Sequence, residues 1–307
     1  MALWLIGGSL IFLLTAAFTL LIVALFLLGD DSLLADESVV EADDVCLEGE
    51  MYNEEEQICM LEVTCESPEE CAAWGDRIIM ELEGIYGPLD DYTAADGELT
   101  PEEIIYTYEI EDNRVPEDVE EDYLWQWHSF DWMTPDNMTT MIDMIEIFEG
   151  SETNAYVKVA GGTSATLGLN SSPFIPSETI QNNLHELAHL LSLTPQEVDY
   201  SLDEKYCWTN YTEEGGCFYE DSYLYLFYGR FWLLDYEETG EYFLSEYAAT
   251  HEQEDFAESF MYFVLYPKPE GTTVAERKIL FFYQFDEMIE LRAELLARIA
   301  TWLVRTG

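Results

Sequence analysis

A long uncharged apolar segment opens the chain, and it constrains the structure more than any other feature of the sequence. Residues 2–28, ALWLIGGSLIFLLTAAFTLLIVALFLL, contain no acidic or basic side chain. About 20 apolar residues in a helix span the hydrocarbon core of a bilayer, and a helix satisfies all of its backbone hydrogen bonds inside lipid. The segment therefore predicts a membrane-spanning helix.

Two interpretations of this segment differ in whether it is retained. A cleaved signal peptide has a basic start, an apolar core of about 7 to 15 residues and a cleavage site with small residues. Here the apolar segment is longer than such a core, and the first basic residue of the chain is Arg77. These features favour a retained anchor in a single-pass cell-membrane protein, and a secreted protein is the alternative.

The charge balance excludes one class of partner. Against 11 Lys and Arg residues stand 64 Asp and Glu residues, which gives a formal net charge of −53. Such a charge repels nucleic acid and anionic lipid headgroups, so we predict no nucleic-acid role. The charge suits a protein from a high-salt source, where screening suppresses self-repulsion, and it equally suits a cleft for basic peptides or a merely acidic surface.

The six cysteines fall into two groups, one in residues 46–71 and one around the loop-like stretch 208–216, which ends in Gly-Gly. An even, clustered count is typical of disulfides in an oxidising compartment. The alternative, a four-cysteine zinc knuckle, normally has C-x2-C pairs, and the chain lacks them. We therefore predict an extracellular location and, by proximity, the disulfides Cys46–Cys59, Cys65–Cys71 and Cys207–Cys217.

Shifts in composition divide the chain into five predicted parts. They are an anchor at 1–28, an acidic stalk at 29–45, a cysteine-rich unit at 46–90, an acidic linker at 91–122 and a main domain at 123–307. The cysteine-rich unit contains one predicted helix, with Ser67 as N-cap, Pro68 at the first helical position and Glu70 two residues later.

The main domain has a mixed pattern. Its first residues, YLWQWHSFDW, are rich in aromatic side chains and predict core packing. A helix is predicted around residues 138–148, followed by two short strands, NAYVKVA and SATLGLN, that Gly161 and Gly162 join in a hairpin. A helix at about 178–191, N-capped by Ser177, comes next, and the remainder is mostly helical. The prediction is an α+β fold with a small sheet before that helix.

The predicted helix at 178–191 carries the pentapeptide HELAH. His185 and His189 are two of the four histidines of the chain, and helical geometry places them one turn apart on the same face. Two imidazoles so spaced can bind one Zn²⁺ at about 2.0 to 2.1 Å, with Glu186 beside the open coordination position. The alternative is a buried helix face, marked by neighbouring Leu and Ala residues, that contains ordinary core histidines.

A third ligand has to come from elsewhere. The extended motif H-E-x-x-H-x-x-G-x-x-H fails, because Ser192 and Pro195 occupy its glycine and last histidine positions. The stretch 247–260, YAATHEQEDFAESF, predicts a helix that begins with a capping box of Thr250 and Gln253 and ends before Pro267. Three candidate ligands lie in this stretch: His251, Glu254 and Glu258. The alternative interpretation of the two glutamates is a solvated acidic face of the helix.

HELAH followed by Tyr-x6-Glu-Asp-Phe-Ala-Glu-Ser-Phe resembles the gluzincin metallopeptidases. The resemblance is to the lethal-factor-like and Pro-Pro endopeptidase group and to bacterial surface zinc peptidases, and it covers about residues 123–290. It implies a zincin-like catalytic domain that binds one Zn²⁺ through His185, His189 and Glu254. It also implies that Glu186 is the general base, that Tyr247 assists at the oxyanion and that Glu258 orients a ligand imidazole.

Together these expectations describe a membrane-anchored extracellular zinc endopeptidase that hydrolyses peptide bonds with a zinc-activated water. The strand SATLGLN is a candidate for pairing with an extended peptide substrate, and a plain structural strand is its alternative. The alternative function is a surface binding or adhesion protein on a catalytically silent zincin scaffold.

Overall fold

The computed structural model describes residues 50–53, 58–87, 103–111, 114–150, 154–171, 175–212, 215–233 and 242–306. These residues belong to one compact unit. The predicted anchor at residues 2–28, the acidic stalk and Cys46 lie outside the described ranges. Within those ranges, no helix combines the length and the apolar character needed to cross a membrane.

The described residues form a mixed structure, in which a small sheet precedes a mostly helical C-terminal part, as the α+β prediction requires. The strands are β1 (Glu50–Asn53), β2 (Ile58–Leu61), β3 (Glu103–Glu109), β4 (Ile142–Glu149), β5 (Ala155–Ala160), β6 (Ser164–Asn170), β7 (Val198–Asp199) and β8 (Cys217–Phe218). The helices are α1 (Pro68–Tyr86), α2 (Leu124–Met133), α3 (Asp136–Thr139), α4 (Pro176–Ser192), α5 (Tyr223–Phe231), α6 (Glu252–Leu265), α7 (Val274–Phe282) and α8 (Asp286–Thr306).

The main sheet has the strand order β3-β4-β6-β5, with β4 and β6 parallel and the outer pairs antiparallel. The prediction of a helix around residues 138–148 is wrong, because most of that stretch is β4. The apolar residues of β4 recur at a spacing that also suits a helix. In a central strand both faces are buried, so apolar residues occur on either face. Ile142, Ile145, Ile147 and Phe148 are accordingly all buried.

Strand β3 comes from the stretch 91–122 that the sequence suggested was an acidic linker. It pairs antiparallel with β4 at one edge of the sheet, and Tyr108 on it is buried. After a register shift between Ile104 and Tyr106, covered and exposed residues alternate from Tyr106 to Glu109, which is the pattern of an edge strand with one covered face. High charge alone therefore hid a structural strand from the sequence analysis.

The hairpin of β5 and β6 is confirmed. Gly161 and Gly162 join the strands with φ angles of 61° and 73°, values that glycine adopts without a steric penalty. Because β6 lies between β4 and β5, its backbone is paired on both sides and SATLGLN is a structural strand. Among the described strands, β5 is the outermost on this side of the sheet, and it also packs against α4.

Helix α1 begins as predicted. The Ser67 hydroxyl accepts a hydrogen bond from the backbone N–H of Glu70, and Pro68 occupies the first helical position. The helix packs against α8, where the guanidinium of Arg292 donates to the Ala72 carbonyl and to Asp76. The cysteine-rich segment therefore shares its core with the C-terminal helix.

Two predicted disulfides are confirmed, Cys65–Cys71 at the start of α1 and Cys207–Cys217 beside β8. Cys59 is also disulfide-bonded, and its predicted partner Cys46 lies outside the described residues. The predicted core role of the aromatic stretch 123–132 holds as well. That stretch forms most of α2, on which Trp127 and Phe130 are fully buried.

Candidate metal centre

Helix α4 positions the two motif histidines. It begins at Pro176, with Ile175 as N-cap and no side-chain capping bond, so the predicted N-cap role of Ser177 is wrong. Proline is well suited to the first helical position, because its fixed φ is helical and that position needs no N–H donor. The helix buries Leu184, Leu187 and Ala188 against the core, which fixes the direction of the face that carries the histidines.

Both imidazoles turn the same ring nitrogen toward one point. His185 is buried and His189 is mostly buried, and their Nε2 atoms lie 3.1 Å apart. Two ring nitrogens at this distance either share a proton or face a common cation. The one-turn spacing read from the sequence therefore produces the convergence that it predicted.

Helix α6 supplies a carboxylate to the same point. It packs against α4, and Glu254 Oε2 lies 3.0 Å from His185 Nε2 and 3.4 Å from His189 Nε2. Within the described ranges, His185, His189 and Glu254 form a group whose ligand atoms all lie within 4.8 Å of one another and could hold a metal ion.

The spacing of these three atoms fits a small tetrahedral cation. Ligands bound at 2.0 to 2.1 Å with tetrahedral angles are separated from one another by about 3.3 Å. The three observed separations, 3.0, 3.1 and 3.4 Å, bracket this value. Two imidazoles and one carboxylate are also a donor set typical of a zinc site with an open fourth position.

Glu258 contacts the outer nitrogen of His185. Its Oε1 lies 3.1 Å from His185 Nδ1, one helical turn beyond Glu254 on α6. A carboxylate in this position accepts the Nδ1–H proton, which leaves Nε2 with its lone pair free for a cation. The two glutamates that the sequence placed on one helix face thus contact opposite nitrogens of the same ring.

Glu186 is buried beside the three ligand atoms. Its Oε2 has no hydrogen-bond partner among the described residues, which is unusual for a buried carboxylate oxygen. Burial raises the pKa of Glu186, and the nearby charge of Glu254 adds to this effect, whereas the two histidines oppose it. A water molecule between Glu186 and a bound cation would satisfy the unpartnered oxygen.

Tyr247 lies at the exposed side of the group. Its side chain is 54% exposed, and its ring centroid is 5.7 Å from that of His185. Partial burial of the phenol, followed by the charge of Glu254 and a hydrogen bond to it, raises the pKa of Tyr247. The hydroxyl is therefore a neutral donor at the mouth of the site.

His251 is placed outside this group. The structure has His251 itself as the N-cap of α6, its Nδ1 accepting from the backbone N–H of Gln253, so the predicted capping box of Thr250 and Gln253 is wrong. The Thr250 hydroxyl instead donates to the Tyr247 carbonyl. The Nε2 atom of His251 faces Glu252 at 3.5 Å.

The electrostatics of the group favour a positive charge at its centre. Burial opposes protonation of His185, but hydrogen bonds to Glu254 and Glu258 outweigh it and raise the pKa of His185 to about 10. Burial also favours neutral Glu254, but hydrogen bonds from the two imidazoles outweigh it and lower the pKa of Glu254. A metal ion that binds here therefore competes with a proton.

A buried charged cluster that was not predicted from the sequence lies next to Glu254 on α6. Asp255 and Lys278 are completely buried and lie 2.7 Å apart, and Trp232 Nε1 donates to the same carboxylate. Little in the sequence signals this cluster, because Lys278 ends a charged run, Glu-Arg-Lys, that directly precedes the apolar residues ILFF. Its partner could not be identified, since Asp255 lies on another helix.

Comparisons of the chain with protein-family models, with curated proteins and with solved structures find no match. The geometry of the site and the motif that produces it are therefore the guides to function.

Proposed function

We propose that this chain is a zinc-dependent endopeptidase with a zincin-like catalytic unit of the gluzincin type. The observation that carries the proposal is the triangle of His185 Nε2, His189 Nε2 and Glu254 Oε2, with sides of 3.0 to 3.4 Å. Next to it lies the buried carboxylate of Glu186, whose Oε2 has no hydrogen-bond partner among the described residues. The ligand set and the adjacent base are the two parts that metal-assisted hydrolysis requires.

His185, His189 and Glu254 would hold the zinc ion, which would supply a Lewis acid able to activate a water, by lowering its pKa to about 7, and to polarise a carbonyl. Glu186 accepts the proton of the attacking water and delivers it to the leaving amine, as its burial next to the ligand atoms supports. Glu258 holds His185 in the tautomer that presents Nε2. Tyr247 donates its phenolic proton in a hydrogen bond to the developing oxyanion.

An extended polypeptide is the substrate that the surroundings favour. Strand β5 has a free edge in the described part of the sheet and packs against α4, the helix that carries the motif. A peptide can add to such an edge through main-chain hydrogen bonds, so that the fixed spacing of the backbone positions a scissile bond. This assigns to β5 the role that the sequence analysis had considered for SATLGLN.

The proposed location is the outer face of a cell membrane. The apolar segment 2–28 is long enough to anchor the chain, and the disulfides Cys65–Cys71 and Cys207–Cys217 are typical of an oxidising compartment. The catalytic unit would then act on extracellular polypeptides.

The test combines metal content with cleavage of a mixed peptide library by the purified full-length protein. We expect one zinc per chain by mass spectrometry, internal cleavage of library peptides, loss of cleavage after chelation and recovery after addition of zinc. The matched control is Glu186→Gln, which removes the base without touching a ligand and should lower turnover by about 10² to 10⁴ at full zinc occupancy.

Three results would contradict the proposal. A wild-type chain that binds no zinc would remove the metal centre. A zinc-loaded Glu186→Gln variant with wild-type turnover would remove the mechanism, and a zinc-loaded wild type that cleaves no library peptide would favour the silent scaffold.

A further inference from the structure

The buried ion pair behind the metal centre joins two elements of the site. Lys278 on α7 and Asp255 on α6 have completely buried side chains, and Lys278 Nζ lies 2.7 Å from Asp255 Oδ2. The same oxygen accepts a hydrogen bond of 2.8 Å from Trp232 Nε1. Asp255 directly follows the candidate ligand Glu254, so this contact fixes the position of the first turn of α6.

The same ammonium contacts the segment that carries Tyr247. Lys278 Nζ lies 3.8 Å from the ring centroid of Phe243 and 4.4 Å from that of Tyr242. Cations over aromatic faces are attracted by the negative face of the ring, and this attraction grows when water is excluded. Residues 242 and 243 precede Tyr247 by only a few positions. Contacts at these two residues therefore restrict the position of the segment that leads to Tyr247.

Hydrogen bonds also restrain the segment on either side of Tyr247. The Tyr242 hydroxyl donates to the Phe231 carbonyl at the end of α5, and Ser245 Oγ accepts from the backbone N–H of Ala248 at 2.9 Å. The Tyr247 carbonyl in turn accepts from the backbone N–H of Thr250 at 3.0 Å. Hydrogen bonds thus hold the segment at Tyr242, before Tyr247, and on both sides of Tyr247 itself.

Helical geometry explains how Asp255 directs Glu254. Successive residues of a helix point about 100° apart, so a helix whose Asp255 faces α7 presents the preceding side chain to a different neighbour. Here that neighbour is α4, where Glu254 contacts both histidines. Rotation of α6 would break the Lys278 contact and the histidine contacts together.

Stability alone does not account for a charged pair at this place. A buried ion pair exchanged for apolar side chains of similar volume often leaves the fold equally stable or makes it more stable, whereas it can fix one geometry among several. We propose that Lys278 is a positioning residue that fixes Glu254 and Tyr247 relative to each other, an inference that rests on the zinc endopeptidase function proposed above.

The experiment compares two buried cations that hold opposite ends of α6. Arg292 is the control, because its guanidinium donates to the carbonyls of Phe263 and Tyr266 at the far end of the helix and pairs with Asp76 at 2.7 Å. The variants are Lys278→Met, the double variant Asp255→Leu with Lys278→Met, and Arg292→Met. The double variant leaves no unpaired charge behind, so we expect it to fold even where the single variant is too unstable.

Thermal unfolding, zinc affinity by competitive chelation, kcat and KM are measured for each folded variant at saturating zinc. We expect the double variant to have wild-type thermal stability or better, about 10-fold weaker zinc binding, and kcat reduced at least 10-fold with KM within about twofold of wild type. Arg292→Met should lower thermal stability and leave kcat and zinc affinity within about twofold of wild type.

A folded double variant with wild-type kcat and zinc affinity would overturn the inference while leaving the proposed function intact. If the zinc-loaded wild type hydrolyses no peptide, the proposed function fails, and the zinc affinities of the double variant and Arg292→Met alone decide whether Lys278 positions Glu254. A wild type that binds no zinc overturns both.

Discussion

Three side chains near the start of α6 differ in what their loss should change. Glu254 contacts both imidazoles, Glu258 contacts only the outer nitrogen of His185, and His251 caps the helix away from the group. The sequence offered all three as ligands, because all of them lie within eight consecutive residues, 251–258. Their contacts separate them into a candidate metal ligand, a carboxylate that orients His185 and a helix cap.

We expect a corresponding order of zinc affinities. Glu254→Ala removes a ligand and should abolish zinc retention and turnover, whereas Glu258→Ala should weaken zinc binding by about 10- to 100-fold. His251→Asn keeps a capping acceptor and should change zinc affinity by less than about twofold. Competitive chelator titrations rank the variants, and loss of zinc in His251→Asn with retention in Glu254→Ala would refute the gluzincin assignment.

At the scale of elements, a titratable glutamate contacts the first residue of α5. Glu197, just before β7, accepts a hydrogen bond of 2.6 Å from the backbone N–H of Tyr223. Burial raises the pKa of Glu197 to about 7, the Tyr223 bond opposes this shift, and the charge of Asp221 adds to it. Because the folded state then binds the proton more tightly than the unfolded chain does, the protonated carboxyl stabilises the fold.

The tighter proton binding of the folded state predicts that stability falls as pH rises. The contribution of Glu197 is fully present below its ordinary pKa of 4.5 and is lost as pH rises through about 7. Between pH 5 and pH 8 the unfolding temperature of wild type should therefore fall more than that of Glu197→Gln. Glu220→Gln, at an exposed neighbouring position, is the control and should follow wild type. Parallel curves for wild type and Glu197→Gln would contradict the assignment.

At the scale of the whole molecule, the net charge of −53 opposes compaction. Salt screens this self-repulsion, since the Debye length falls from about 8 Å at 0.15 M to about 3 Å at 1 M ionic strength. The apolar core and the buried aromatic side chains between α5, α6 and α7 have to hold the fold against it. Stability should accordingly depend strongly on ionic strength.

We expect the midpoint of thermal unfolding to rise by about 5 °C or more between 0.15 M and 1 M NaCl. Choline chloride at the same ionic strength is the control and should give a similar rise, because screening does not depend on the identity of the cation. A midpoint that responds to neither salt would show that surface repulsion contributes little to the stability of this protein.

The sequence by itself determined the features that depend on local geometry. The helical period brought His185 and His189 onto one face, two glycines with positive φ made the β5–β6 turn, and the short cysteine spacings led to the Cys65–Cys71 and Cys207–Cys217 pairs. Each of these depends on residues close together in the chain, so a pattern of residue types is enough to predict it.

Only the tertiary structure decided the features that depend on distant partners. The apolar stretch around β4 suits a helix or a central strand equally, and it is a strand because β3 and β6 pair with it on both sides. In the same way, the packing of α6 on α4 decides that Glu254, and not His251 or Glu258, contacts the Nε2 atom of His185. Lys278 likewise pairs with Asp255 on another helix. Propensity is a local free-energy preference, whereas these outcomes depend on contacts between residues far apart in sequence, which no local pattern encodes.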